Sequence, residues 1–154
     1  MKFHINLNEV LKPIFDLLNN DATLQGTAYL SGTGKVCSQR VPVSMQPPYL
    51  LITLQSAIPD TMQTYTGELR IFCYTALLSN GQIGNRGNLI LNQCDKLLNC
   101  EQFTYTPADT GLPSVTILPL YSLGIVPSIF NSDGDDDLPR GVVRYKITFG
   151  YNGN

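Results

Sequence analysis

The sequence predicts an α+β domain, in which two helices pack on an antiparallel or mixed sheet of about four main strands. Two segments repeat apolar residues at three- and four-residue spacing, as amphipathic helices do, whereas several others alternate apolar and polar residues, as strands do. The chain has 154 residues, of which 43 % are apolar, which is enough to bury a core. We therefore expect residues 1–154 to form a single domain.

The first element is predicted to be a helix, because its apolar residues fall on one helical face. They are Leu7, Val10, Leu11, Ile14, Phe15 and Leu18. Proline fits the first turn of a helix, where its missing N–H needs no partner, so Pro13 places the start of the regular helix near Asn8 to Lys12. After the helix, Asp21 can cap a short turn that Gly26 ends.

A β-hairpin is predicted between residues 49–57 and 62–75, because two alternating segments are joined by a short turn at Pro59-Asp60. Residues 31–48, rich in glycine and proline, are interpreted mainly as a connector. Gly67 lies in the middle of the second strand and indicates a bulge or a bend.

A second helix is predicted over about residues 83–100, again from one apolar stripe that would lie on the sheet. Two further strands are predicted at residues 114–123 and 141–151. Pro119 makes the first of these an edge strand or places a bulge in it. In the second, Val143, Tyr145, Ile147, Phe149 and Tyr151 are expected to face the core, and Arg144, Lys146 and Thr148 to face outward.

Composition argues against several classes of function. The formal net charge is −2 and the pI is about 5.2, so nonspecific attraction to nucleic acid is not favoured. We find no apolar stretch long enough to cross a membrane. The four cysteines form no C-x-x-C pair, and we expect them to be reduced and mostly buried. Only 14 % of the residues are charged, a proportion that fits a protein burying surface against partners.

The segment "NSDGDDDLPRG", residues 131–141, contains four aspartates and raises the question of a metal site. A calcium-binding EF-hand loop needs glycine at its sixth position and glutamate at its twelfth. Counting from Asp133 places Leu138 and Arg144 there, so both requirements fail. We therefore interpret the aspartates as part of a solvated loop between two strands, with a cation contact or a two-metal site as less favoured alternatives.

No residue is predicted to be catalytic, to ligate a metal or to bind a cofactor. His4 is the single histidine and stands near the N-terminus, where we do not expect it to be held as the positioned imidazole that a nucleophile–base pair needs. The segment "GQIGNRGN", residues 81–88, has neither the Walker spacing nor the dinucleotide-binding spacing, and is interpreted as a connection capped by Asn80 or Asn85. We also find no pair of carboxylates at a defined spacing for acid–base catalysis.

After the opening helix comes "LLNNDATLQG", followed in order by "VPVSMQPPYLLITL", "TYTGELRIFCYT", "NRGNLILNQCDKLLN" and "RGVVRYKITFGY". In the order of these segments, the chain resembles the tail-completion (tail-terminator) and neck, or head–tail joining, proteins of tailed bacteriophages. The resemblance covers nearly the whole chain, but by pattern and not by a catalytic signature. Two stretches, 101–113 and 124–140, are longer than in the compact form of the pattern, and Pro119 interrupts a strand.

The resemblance implies a structural protein of the virion, assembled in the host cytoplasm. It would form a homo-oligomeric ring, six- or twelve-fold, at the neck or at the head-proximal end of the tail. Such a ring caps the tail and joins it to the head through portal, neck or tail-tube proteins, while DNA passes through its lumen as cargo. We expect two sets of residues to take part: a loop lining the lumen or docking on a neighbouring ring, formed by Asp133, Asp135, Asp136 and Asp137, and a subunit interface formed by Glu68, Arg70, Arg144 and Lys146.

Two other functions remain open at this stage. The chain could be a small cytosolic binding or regulatory domain without catalysis, which the size of its oligomer would distinguish from a ring. It could also be a metal-assisted hydrolase that uses the aspartates, in which case metal binding would raise the melting temperature by mass action.

Overall fold

Two helices and seven strands make up the described part of the chain, which comprises residues 7–59, 64–76, 78–80, 84–108, 111–127 and 139–152 of a computed structural model. In chain order they are α1 (Leu7–Asn19), β1 (Val36–Ser38), β2 (Tyr49–Pro59), β3 (Thr64–Tyr74), α2 (Arg86–Leu98), β4 (Phe103–Tyr105), β5 (Val115–Ile117), β6 (Tyr121–Pro127) and β7 (Gly141–Tyr151). The predicted α+β class is confirmed.

The sheet is mixed and larger than the four main strands that the sequence predicts. Its order is β1-β2-β3-β7-β5-β4, and β6 also pairs with β7. Strand β1 runs parallel to β2, whereas all the other pairs are antiparallel. Strand β1 lies in residues 31–48, which we interpreted mainly as a connector. Strand β4 lies in residues 101–113, which are longer than in the compact form of the family pattern. Each has three residues, too few to show an alternating pattern.

The predicted hairpin is confirmed as the antiparallel pair β2–β3, and a bulge is present where Gly67 indicated one. The extra residue belongs to the partner strand. Gln55 pairs with Glu68 and Ile58 pairs with Thr66, so two residues of β2 face Gly67 alone.

Helix α1 differs from the expectation at Pro13, which lies inside the helix and not in its first turn. An internal proline costs about 3 kcal/mol. The buried residues on either side of it, Val10, Leu11, Ile14 and Leu18, are each fully covered. Burying one such side chain contributes about 1.5–3 kcal/mol, so their combined burial outweighs the lost hydrogen bond. After the helix, Asp21 caps the next turn as predicted, with Leu24 N donating to its Oδ2 at 3.0 Å.

Pro119 divides the strand predicted at residues 114–123 into β5 and β6. Because β3 occupies one edge of β7, both pieces pair with the other edge: β5 near Tyr151 and β6 along residues 141–146. Leu118 N bonds to Thr148 O at 2.9 Å between them. Strand β6 continues to Pro127, into a stretch that we had interpreted as loop.

Both helices pack on one face of the sheet. The core joins α1 and α2 to alternate residues of the long strands, such as Leu69 and Ile71 of β3 and Val143 and Ile147 of β7. Helix α2 spans Arg86–Leu98, within the predicted range, and buries Gly87, Ile90, Leu91, Cys94 and Leu98. Neither helix of the described part is long and apolar enough to cross a membrane.

Candidate functional site

The face of the sheet opposite the helices carries a cluster of four charged side chains. Along β7, Val143, Tyr145 and Ile147 are buried in the core, so the intervening Arg144 and Lys146 project from the other face. On β3, Leu69 and Ile71 place Glu68 and Arg70 in the same way. The structure thus brings together the four residues that the sequence assigned to a subunit interface. We call Glu68, Arg70, Arg144 and Lys146 the charged cluster.

Strand register fixes the arrangement of this cluster. Arg70 is directly opposite Arg144, and Glu68 is directly opposite Lys146. Directly opposite residues share a face, and like charges in that position repel each other. Two rows therefore cross β2, β3, β7 and β6. One row is Thr53, Arg70, Arg144 and Gly124, and the other is Gln55, Glu68, Lys146 and Tyr121.

Glu68 relieves the repulsion between the two arginines by pairing with both. Its Oε2 accepts a hydrogen bond from Arg70 Nη2 at 3.0 Å, and its Oε1 lies 3.5 Å from Arg144 Nη1. The three side chains are partly buried, with 24 % of Glu68, 33 % of Arg70 and 39 % of Arg144 exposed. Partial burial weakens screening by water, so these pairs are stronger than ordinary surface pairs.

The charged cluster retains an excess of positive charge, because one carboxylate faces three cationic side chains. Its hydrogen bonding is also incomplete. Among the described residues, Arg70 Nε and Arg144 Nε are covered and have no hydrogen-bond acceptor, and Glu68 Oε1 is covered and has no hydrogen-bond donor. A surface of this kind is complementary to a carboxylate or another anion.

Apolar side chains border the charged cluster on its β6 side. Four residues of β5–β6 and the turn between them are large, apolar and exposed: Leu118 (48 %), Tyr121 (67 %), Leu123 (44 %) and Val126 (43 %). A groove of about 500 Å³ is lined by Leu118, Pro119, Tyr121, Lys146 and Thr148. We call it the β5–β6 groove. Lys146 belongs to both the groove and the charged cluster, so the two features are continuous.

A second groove lies between α1 and the end of β1. It has a volume of about 530 Å³ and is lined by Asn8, Glu9, Lys12, Phe15, Asp16, Ser38 and Gln39. Lys12 Nζ is paired with Asp16 Oδ2 at 2.8 Å across one turn of the helix. Its described lining residues are polar or charged apart from Phe15, and among them Glu9 and Asp16 are accompanied by the cation Lys12.

The cysteines behave as the sequence predicts, because Cys37, Cys73 and Cys94 are buried and only Cys100 is exposed; all four are free thiols. Burial raises the pKa of Cys73 to about 12 and the pKa of Cys94 well above its usual value. Such thiols are poor nucleophiles at neutral pH. Across the described ranges, no group of three or more His, Cys, Asp or Glu side chains is arranged to hold a metal ion.

Hydrogen bonds from Arg86 connect the N-terminus of α2 to backbone carbonyl groups elsewhere in the chain. Arg86 stands in the first turn and donates through Nε to Tyr29 O at 2.6 Å and through Nη2 to Thr27 O at 2.9 Å. Asn85 occupies the N-cap position, as one of the two predicted caps, but its side chain makes no capping hydrogen bond. The part of "GQIGNRGN" that the structure describes thus acts as a connection into the helix.

Several residues singled out from the sequence lie outside the described residues. They are His4 and the aspartates of the predicted loop, Asp133, Asp135, Asp136 and Asp137. The two strands that border this segment are described: β6 ends at Pro127 and β7 begins at Gly141, and these two residues pair. The segment therefore connects neighbouring antiparallel strands, as predicted.

The β5–β6 groove was not found from the sequence. Residues 114–123 are predicted to form one strand and residues 124–140 a long loop, a pattern that does not show Tyr121, Leu123 and Val126 as an exposed apolar edge. The available signal was the alternation of Tyr121, Leu123 and Ile125 after Pro119. Gly124 and a register shift between Ser122 and Gly124 obscure that alternation.

Comparison with known proteins gave no family: no model of a protein family matches this chain, and no curated protein matches it either.

Proposed function

We propose that this chain is a structural protein of a tailed-phage virion that forms a homo-oligomeric ring, six- or twelve-fold, at the neck or at the head-proximal end of the tail. In this role it would be assembled in the host cytoplasm, cap the tail and join it to the head, with DNA passing through the lumen. Its partners would be further copies of itself and the adjoining portal, neck or tail-tube proteins. The proposal assigns no catalytic role and no cofactor. The choice of a phage ring rests on the resemblance of the segments in their order.

The observation that carries the oligomeric part of the proposal is the apolar edge of the sheet beside the charged cluster. Leu118, Tyr121, Leu123 and Val126 expose large apolar side chains on or next to β6. Contiguous apolar surface bordered by polar groups is typical of protein–protein contact sites. Edge strands with apolar residues also pair readily with other chains.

The charged cluster adds specificity to such a contact. In a closed ring each subunit uses two different patches, one to meet each neighbour. A positively charged patch at one interface requires an acidic patch on the neighbour, which fixes the orientation of the subunits. Because only 14 % of the residues are charged, a cluster of four charged side chains distinguishes this face from the rest of the surface.

Light scattering at high protein concentration, with negative-stain images of the same fractions, tests the proposal. We expect a species of six or twelve subunits with annular images. Localisation of the protein in intact particles, by labelled antibody or by reconstruction, tests the virion role when assembly needs the tail or portal as a template. A chain that stays monomeric and is missing from particles would rule the proposal out.

The groove between α1 and β1 favours a second candidate, a small binding or regulatory domain without catalysis. Its volume of about 530 Å³ falls in the range of small-ligand sites. For this candidate we expect a monomer or dimer whose melting temperature rises with a small ligand. A variant that fills the groove, Ser38→Phe, should then abolish the shift and leave assembly unchanged.

A further inference from the structure

We infer that the charged cluster and the β5–β6 groove together receive the acidic segment of a second copy of this chain. This inference rests on the proposed assembly of copies into a ring and identifies one of its contacts. The occupant is residues 129–137, in which Ile129 and Phe130 are followed by Asp133, Asp135, Asp136 and Asp137. The apolar pair would enter the groove, and the aspartates would pair with Arg70, Arg144 and Lys146.

Charge complementarity is the first argument. Four of the 12 acidic residues of the chain lie in this segment. The rest of the chain therefore has eight acidic residues against ten basic ones, so the segment and the remaining surface carry opposite net charges. On the described surface, the charged cluster combines one carboxylate, Glu68, with Arg70 and Arg144, which pair with it, and with Lys146 directly opposite it. Additional carboxylates would be attracted to the positive charge that remains.

The spacing of the segment matches the spacing of the surface. Neighbouring strands are about 4.8 Å apart, so β3 lies about 10 Å from β6 across the sheet. An extended chain advances about 3.3 Å per residue, so a segment bound in an extended form would place Asp133 about 10 Å from Phe130. Phe130 in the β5–β6 groove would thus bring the aspartates over Arg144 and Arg70.

The geometry favours a second copy over the same chain. Pro127 pairs with Gly141, the first residue of β7, whereas the groove residue Lys146 stands in the middle of that strand. Lys146 is five positions from Gly141, a distance of about 17 Å. Phe130 follows Pro127 by three residues, a reach of about 10 Å. The backbone of a chain therefore does not carry its own Phe130 as far as Lys146, although its aspartates are able to approach its own Arg144.

Direct binding tests the surface. A fluorescent peptide of residues 127–138 is titrated with a full-length variant in which all four aspartates are replaced by asparagine, so that its own segment does not compete. We expect saturable binding that weakens with salt. Adding Arg144→Gln and Lys146→Gln to the variant should weaken binding at least about 10-fold, which corresponds to about 1.4 kcal/mol. The matched control, Lys12→Gln with Lys96→Gln, removes the same charge from the helices and should leave binding unchanged.

A Phe130→Ala peptide separates the two parts of the site, because it should lose the groove contact and keep the ionic one. Equal affinity for the acidic peptide and its all-asparagine counterpart, or no binding of either at low salt, would overturn the inference. This result is distinguishable from failure of the proposed function. The wild-type chain would still form rings if only the inference is wrong, and the peptide would still bind if only ring formation is wrong.

Mixing two full-length variants tests whether docking occurs between copies. The all-asparagine variant keeps the receiving surface, and the Arg144→Gln, Lys146→Gln variant keeps the acidic segment. Each variant alone should stay monomeric at concentrations where the wild type assembles. Their mixture should form one-to-one heterodimers, because the surface of one variant can bind the segment of the other and no second contact is possible. If the peptide binds but the mixture stays monomeric, the segment does not reach a second copy while it is part of its own chain, and docking between copies is excluded.

Discussion

Gly67 of β3 and Gln55 of β2 approach so closely that a side chain at position 67 has no room: a Cβ placed there would lie 3.0 Å from the Gln55 carbonyl oxygen. It would also lie 3.1 Å from Ala57 Cα. Both atoms belong to the backbone of the bulge, which cannot move aside as a flexible side chain can. The close approach therefore belongs to the β2–β3 pairing at the bulge, directly before Glu68 in β3.

We expect Gly67→Ala to lower the free energy of unfolding by about 1–3 kcal/mol, the range for overpacking a filled site. Gly87→Ala is the matched control. Its Cβ would meet Arg140 Cβ at 3.5 Å, an ordinary contact, and alanine favours the helical backbone. That variant should be neutral or more stable by up to about 1 kcal/mol. Urea unfolding of both variants measures the difference, and equal stabilities would contradict this close approach at the bulge.

Removing the carboxylate from the charged cluster should leave two guanidinium groups facing each other. We expect Glu68→Gln to lower the free energy of unfolding by about 1 kcal/mol, because Arg70 and Arg144 are directly opposite and lose their shared partner. The loss should shrink in high salt. Asp16→Asn, which breaks the exposed Lys12–Asp16 pair, is the control and should cost less than about 0.5 kcal/mol. Equal losses of unfolding free energy in the two variants would show that Glu68 contributes no more than an exposed ion pair does.

Long periodic segments were predictable from the sequence, and short or interrupted ones were not. The hairpin and the outward placement of Arg144 and Lys146 followed from alternation over many residues, because burial enforces that alternation on one face of a sheet. Strands β1 and β4 have three residues each, and only their neighbours in the sheet define them. The predicted position of Pro13 in the helix was wrong. Local propensity favours proline in the first turn, whereas burial of the flanking apolar residues keeps Pro13 inside the helix.

Part of the candidate site was predictable from the sequence, and part of it was not. Its charged residues were named correctly as outward-facing, but their mutual arrangement depends on the β3–β7 register, which places Arg70 opposite Arg144. No local pattern specifies which residues of two distant strands face each other. The β5–β6 groove was also not predicted. It forms at Pro119, between the two strands β5 and β6 that replace the single predicted strand.

The difference in cysteine exposure predicts selective labelling. Cys100 is exposed, whereas Cys37, Cys73 and Cys94 are buried. We expect a brief treatment of the native chain with a thiol reagent to modify Cys100 alone, and unfolding in urea to expose the other three. Mass spectrometry of tryptic peptides identifies the modified residue. In a Cys100→Ser variant this rapid modification of the native chain should disappear. Rapid modification that persists would mean that one of the buried thiols is accessible in the native state.

Buried thiols also predict a loss of stability in alkaline solution. Burial raises the pKa of Cys73 from 9.0 to about 12, so the folded chain keeps the thiol protonated while the unfolded chain ionises it. The stabilisation is complete below pH 9 and is lost as the pH rises from about 9 to about 12. Between pH 8 and pH 10 this thiol alone should reduce the free energy of unfolding by about 1.4 kcal/mol.

Replacement of this thiol isolates its share of the pH dependence, because Cys94 and Tyr145, whose pKa values are also raised mainly by burial, remain in both proteins. We expect Cys73→Ala to be less stable than the wild type at pH 8, owing to the cavity it leaves, but to lose less stability between pH 8 and pH 10. Urea unfolding at the two pH values gives both quantities. Parallel losses in the wild type and the variant would mean that Cys73 ionises in the folded state as readily as in the unfolded one.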